Sequence, residues 1–197
     1  MKAEEYTYWL RRIVHTFGSV SILYYLIPTQ SRNFAAIAVF VIVALIEVLR
    51  VKGRINLKGL RDYERTRLSG FFYFAIGAII LLIFFPQQIA IPCILCAAFC
   101  DPLVGESRKR LGKGTAYAMM FVLSFFIFLL IWSSSTYCIA VSFMGAAAAV
   151  LGEVVKSRWI DDNVLIQLLP ASIILICYFI VLHMGINILP VVVLTPP

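Results

Sequence analysis

Seven long apolar blocks, separated by short polar connections, make up nearly the whole chain. They run over 12–28, 34–50, 69–86, 88–101, 115–132, 136–152 and 164–190. Inside each block the apolar residues are continuous rather than alternating, which excludes the strand pattern of a membrane β-barrel. A helix that crosses a bilayer needs about 20 such residues. The pattern therefore predicts an all-α, polytopic transmembrane helical bundle of about seven spans. Only Pro86, Gln87 and Gln88 divide the third block from the fourth, and Pro170 predicts a kink or a break in the seventh. Arg11, Arg12 and His15 interrupt the first block, which also lacks a small-residue cleavage site. It reads as a retained helix and not as a signal peptide.

Composition narrows the class. Of 197 residues, 62% are hydrophobic and 14% charged, and the mean hydropathy is +0.95. A soluble globular enzyme, a disordered chain and a disulfide scaffold are excluded on these values. No repeat or low-complexity segment stands out, so residues 1–197 are expected to form one domain.

The charges test the division into spans. Basic residues cluster at Lys2, Arg11 and Arg12, again from Arg50 to Arg67, from Arg108 to Lys113, and at Lys156 and Arg158; the alternate connections hold only Arg32. The positive-inside rule then places the N-terminus in the cytoplasm and the C-terminus outside. All ten acidic residues fall on the same side as the basic clusters. A channel or transporter needs polar groups through the depth of the bilayer. Here the polar chemistry sits at one face, expected to be cytoplasmic. The net charge of +7 follows from this sidedness and does not argue for nucleic acid.

Four clusters lie at the ends of helices on that face. Arg11, Arg12 and His15 share a helical face, either as snorkelling arginines with a helix-end histidine or as a site. Glu47 follows thirteen apolar residues and is three residues from Arg50, so it is either a plain ion pair or a functional carboxylate. Asp101 is followed by Gly105, then by Arg108, Lys109 and Arg110, then by Gly112 and Lys113. That reads as an ordinary basic loop or as a glycine-punctuated phosphate loop, with Asp101 able to hold magnesium. Glu153 precedes Asp161, Asp162 and Asn163, where capping of the last helix competes with a metal or nucleotide site. Carboxylates, guanidiniums and a basic loop at one depth are the mixture that phosphoryl transfer requires.

These segments resemble, in family order over about residues 8–170, the motifs of the CTP-dependent lipid-alcohol kinases. That family includes dolichol kinase, phytol and farnesol kinases, and the yeast-type CTP-dependent diacylglycerol kinase. Arg11-Arg12-Ile-Val-His15 is similar to its R-[KR]-x-x-H, Glu47-Val-Leu-Arg50 to its E-x-x-R, and Glu64 to Gly70 to its E-x-x-R-x-[ST]-G. Asp101-Pro102 with Gly105 and Gly112-Lys113 resembles its D-P-x-A-x-x-x-G…G-K loop, and Glu153 with Asp161-Asp162-Asn163 its E…D-D-N. The family's K-[ST]-x-E-G segment has no counterpart, because Lys113-Gly114-Thr115 runs straight into an apolar helix. The resemblance implies phosphorylation of a membrane isoprenoid or polyprenol alcohol by CTP and magnesium. It implies catalytic roles for His15, Glu47, Asp101 and Asp162, with His15 or Glu47 poising the hydroxyl. Arg11, Arg12, Arg50, Gly105, Lys109, Arg110, Gly112, Lys113, Glu153, Asp161 and Asn163 would bind nucleotide or phosphate. Asp101, Glu153 and Asp162 would hold the metal. The expected partners are CTP, the lipid alcohol and the bilayer, with an oligomer possible.

A CDP-lipid synthase is the nearest alternative, weakened because apolar residues follow Asn163 where that class carries D-R-x-D; a lipid transporter or scaffold is the other. Cys93, Cys96 and Cys100 lie in an apolar helix without a nearby histidine and read as small packing residues. Gly145 to Ala149 form a small-residue face for close helix packing.

Overall fold

The computed structural model describes residues 3–57, 60, 64, 66–155 and 160–196, with side chains from Trp9 onward. Glu4 and Glu5 have no described side chains, and Lys2, Lys58, Arg61, Asp62, Arg65, Lys156 and Arg158 lie outside the described residues. Among the described residues seven α-helices follow one another: α1 (Ala3–Phe17), α2 (Thr29–Val51), α3 (Gly70–Phe84), α4 (Gln87–Leu111), α5 (Lys113–Trp132), α6 (Cys138–Val154) and α7 (Asp162–His183). A 3-10 helix over Gly18–Leu26 joins α1 to α2. No strand is present among the described residues. Helices α2, α4, α5 and α7 are long and apolar enough to cross a membrane, while α3 and α6 are apolar but shorter.

The first block does not form one helix. It divides between the end of α1 and the 3-10 segment, where Ser19 Oγ donates to the Thr16 carbonyl at 2.8 Å. Gly18 lies at the junction because α3 leaves no room for more: a Cβ there would come 2.5 Å from the Phe74 ring. The third and fourth blocks separate at Pro86, as their composition predicts. Pro170 does not break α7, which runs through it. Pro170 is buried against the bundle, and packing there outweighs the lost hydrogen bond.

Helix α4 is the most buried of the four long helices and α2 the least. Helices α4 to α7 pack in succession, α3 lies on α7, and α2 rests on the outside against α3 and the 3-10 segment. The small-residue face of α6 does what its composition predicts. Gly145 sits on the fully buried Phe128 of α5, where a Cβ would come 2.7 Å from the ring. Cys93, Cys96 and Cys100 are buried in α4, and Cys100 Sγ meets Ser124 Oγ at 3.3 Å.

The two ends of the bundle differ. At one, the chain after α7 folds back over α4 and α5. Gln87 brackets Leu194, accepting from its amide and donating to its carbonyl at 2.9 Å each. Gln88 Nε2 donates to the Pro190 carbonyl at 3.1 Å, and Ser135 Oγ to the Ile188 carbonyl at 2.7 Å. Side chain-to-backbone hydrogen bonds pin the final segment at this end, which holds no ion pair among the described residues. The other end gathers the charges.

Candidate functional site

Helix α1 delivers three polar side chains to the charged end. Arg11 and His15 are four residues apart and face α3; Arg12 faces α4. The Arg11 Nη1 donates to both oxygens of Glu64, at 3.2 and 3.1 Å, and its guanidinium lies 5.8 Å from the Phe71 ring centre. Glu64 in turn accepts from the Gly70 amide at 3.1 Å, at the start of α3. Side chains converge closely beside Gly70. The point a Cβ would occupy there is 3.1 Å from Arg11 Nη2, 3.1 Å from Asn163 Nδ2 and 3.4 Å from Glu64 Oε1. A side chain at this position would have to displace one of them.

His15 is 3% exposed. Its Nε2 lies 3.4 Å from Asp101 Oδ2, and its ring meets Phe74 edge-on at 5.0 Å. Below it runs an apolar groove of about 680 Å³ between the 3-10 segment, α2 and α3, with His15 in its wall at the charged end. The groove exists because α2 packs loosely. A second, smaller-walled groove of about 660 Å³ lies on the opposite flank of α1, against Pro102 and Leu103 of α4.

Arg12 Nη2 donates to Glu106 Oε2 at 2.8 Å, and Arg110 Nε donates to the other Glu106 oxygen. Arg108 pairs with Glu153, tying α4 to α6, and lies 5.5 Å from the Tyr117 ring centre. Glu153 is buried. Glu47 and Arg50 form a knot at the end of α2. Arg50 donates to both Glu47 oxygens at 2.8 and 2.6 Å, to the Glu64 carbonyl at 2.7 Å and to the Arg67 carbonyl at 2.6 Å. Glu47 Oε1 also accepts from the Ser69 amide at 2.6 Å. The pair thus anchors the segment that carries Glu64.

Asp161 caps α7, accepting from the Asn163 amide at 3.0 Å and from Asn163 Nδ2 at 2.7 Å. Burial pushes the Asp161 carboxyl above the usual carboxylate range; the neighbouring Asp162 adds to this and the Asn163 bonds oppose it.

Several expected residues therefore meet at one end: Arg11, Arg12, His15, Asp101, Glu153 and Asn163. They meet through arginines and not around a carboxylate cage. Among the described residues no three of His, Cys, Asp and Glu gather closely enough to hold a metal ion. The set Asp101, Glu153 and Asp162 is not assembled, because His15 takes Asp101 and Arg108 takes Glu153. Glu47 is likewise committed to Arg50 and Ser69, which makes it a positioning residue and not a group that poises a hydroxyl.

The glycine-punctuated loop is also corrected. Residues 101–111 continue α4, so Gly105 is helical with nothing within 4 Å of an added Cβ. Of the glycines in this segment, Gly112 alone has a positive φ, 87°, at the turn into α5. Lys109, Arg110 and Lys113 are exposed, whereas Arg108 turns inward. A helical glycine with open space costs about 0.5–1 kcal/mol against alanine. Gly105→Ala should therefore raise thermal stability by about that amount and leave function intact. A marked loss in a melting experiment would contradict the open helical setting of Gly105, and a loss of nucleotide binding without one would restore the phosphate-loop reading.

Glu64, Gly70, Glu106 and Arg108 were not singled out as site residues from the sequence. Glu64 and Gly70 had a signal, since both lie in the motif-like stretch before α3. Arg108 had only its place in a basic run, which does not say which of three cations turns inward.

No known protein family, curated protein or solved structure matches the chain.

Proposed function

We propose that the protein spans a membrane about seven times and phosphorylates a membrane isoprenoid or polyprenol alcohol at its charged, cytoplasmic end, using CTP and magnesium. The observation that carries this reading is His15: a buried imidazole, held by Asp101, at the charged end of an apolar groove. A lipid alcohol has the matching form, one hydroxyl on an apolar tail. Gly70 lies near Arg11, one helical turn from His15 along α1. Two N–H donors, Arg11 Nη2 and Asn163 Nδ2, converge beside it and are of the kind that binds a phosphate oxygen once the side chains part to admit one. The Glu64 oxygen beside them repels an anion unless a cation comes with it. Magnesium carried in on nucleotide phosphates needs only one or two carboxylates, so the lack of a three-carboxylate cage does not conflict with it. Glu64, Asp161 and Asp162 are the carboxylates near these donors, and the ion would neutralise phosphate charge there.

In the step itself the acceptor oxygen bonds to the γ-phosphorus and the bond to the β–γ bridging oxygen breaks, leaving CDP. The hydroxyl proton passes to His15. Asp101, 3.4 Å from Nε2, orients the imidazole. Arg11 and Arg108 stabilise charge spread over the transferred group.

The test uses the full chain, magnesium and a panel of lipid alcohols with labelled CTP. Label from the γ-phosphate appearing in the lipid supports the kinase. Label from the α-phosphate appearing there supports a CDP-lipid synthase instead. Absence of any nucleotide turnover leaves a non-enzymatic lipid protein.

A further inference from the structure

The second groove, of about 660 Å³, runs along the flank of α1 that faces α4. Trp9, Ile13 and Phe17, four residues apart on α1, form one wall, and Pro102 and Leu103 of α4 the other. Its charged lining, Arg12 and Glu106, sits toward the charged end of the bundle. Helix α4 runs toward that end, so Glu106 lies one turn beyond Pro102, and α1 runs inward from it. Two guanidiniums meet one carboxylate there. Arg12 Nη2 donates to Glu106 Oε2 at 2.8 Å, and Arg110 donates through Nε to Glu106 Oε1. Arg110 is exposed and has donors to spare. The Arg12 guanidinium lies over the Trp9 ring, 5.4 Å from its centre, which holds it at the groove. The phosphoryl transfer proposed above makes no use of Arg12, because it faces α4 while Arg11 and His15 face α3.

We infer that this groove binds a lipid carrying a phosphate monoester, with the phosphate against Arg12 and Arg110 and the tail along Pro102 and Leu103. A monoester has about two negative charges near pH 8 and three acceptor oxygens. Two guanidiniums around one carboxylate leave one positive charge in excess, and guanidiniums bind phosphate oxygens in pairs. A phosphodiester, with a single charge, is the poorer match. The groove is open along its side. A tail there lies in hydrocarbon before and after binding, so the head decides which lipid stays. In the proposed transfer, a lipid monophosphate is the product. Asp101 stands between the two grooves: its carboxylate meets His15 at 3.4 Å, and the next two residues, Pro102 and Leu103, wall the second groove. The alcohol then enters on one flank of α1 and the lipid phosphate leaves on the other. The role as a product groove rests on the kinase reading; the phosphate site itself does not.

The test is binding without nucleotide, by the full chain in nanodiscs at about pH 8. A straight-chain alkyl monophosphate brominated in its tail quenches a tryptophan that it touches. The part of the quenching that Trp9→Phe removes comes from this groove. Unbrominated monophosphate should displace the probe. The parent alcohol and phosphatidylglycerol, an anionic diester, should not do so at the same mole fraction in the bilayer. Arg12→Gln should weaken binding about 10-fold or more, the worth of a hydrogen bond to a charged group. Glu106→Gln should strengthen it about fivefold, because a competing negative charge is removed. These opposite signs separate a phosphate site from a structural clamp, in which loss of either partner does the same harm. Arg110→Gln, at an exposed side chain, should weaken binding about fivefold, and it decides the matter if Arg12→Gln fails to fold. Three results each overturn the inference: displacement by the alcohol or by phosphatidylglycerol as effective as by the monophosphate, binding unaltered by the arginine variants that fold, or weaker binding in Glu106→Gln. Selective binding with no lipid phosphorylated from CTP keeps the phosphate site and removes the kinase. Phosphorylation without selective binding keeps the kinase and removes the product groove.

Discussion

Replacing His15 by glutamine should lower phosphoryl transfer about 100-fold or more while the acceptor alcohol still binds, because proton transfer by a positioned side chain contributes about 10²–10⁴-fold. His15 is the side chain that joins the two halves of the proposed site. It lines the apolar groove on one face and meets Asp101 at 3.4 Å on the other. Glutamine keeps most of the volume and can still bond to Asp101, so the groove should keep its shape. The loss should therefore appear in kcat and not in KM for the alcohol. Asp101→Asn should give a smaller loss of the same kind, since it weakens the orientation of the imidazole without removing it. Steady-state kinetics with a single alcohol, alongside nucleotide-free binding of that alcohol, separate the two effects. Turnover close to that of the unaltered protein in His15→Gln removes this residue from the reaction.

Replacing Arg50 by alanine should cost about 3–5 kcal/mol of stability, the range seen when one partner of a buried ion pair is deleted. Glu47 and Arg50 are each 4% exposed, and Arg50 makes four hydrogen bonds, two of them to backbone carbonyls of the segment before α3. Its loss leaves the Glu47 carboxylate buried with no cation beside it, held by Ser69 and bearing its own desolvation cost. It also frees the Glu64 carbonyl, so Glu64 should no longer hold Arg11. Glu47→Leu combined with Arg50→Met should be less damaging than Arg50→Ala alone, because no uncompensated charge remains. Thermal unfolding of Arg50→Ala, and of the unaltered protein, Glu47→Leu, Arg50→Met and the double variant, in one detergent measures this. A double variant as unstable as the sum of the two singles would show that the pair is not coupled.

Gly145 to Ala149, Ser69 and Asp161 show what local chemistry could foretell. A run of small residues permits a close helix crossing, and Gly145 meets Phe128 there. Serine and aspartate are good N-caps, and Ser69 and Asp161 cap α3 and α7. Residues 101–111 show where local rules misled. Proline disfavours helix for the residue before it, and Gly105 and Gly112 suggested a loop after Asp101. Helix α4 continues all the same. Arg12 grips Glu106, Arg108 grips Glu153, and buried Val104 and Ser107 add packing that local propensity does not count.

The apolar blocks and the segregation of charge to one end could be read directly from residue order, because burying unbroken apolar surface and keeping charge out of it depend on composition along the chain. Which cation turned inward, which carboxylate each arginine took, and the groove beneath His15 were decided only when separate helices came together. Those features depend on distances between residues far apart in sequence, such as Arg11 and Glu64 or Arg108 and Glu153. A one-dimensional pattern carries no such distances.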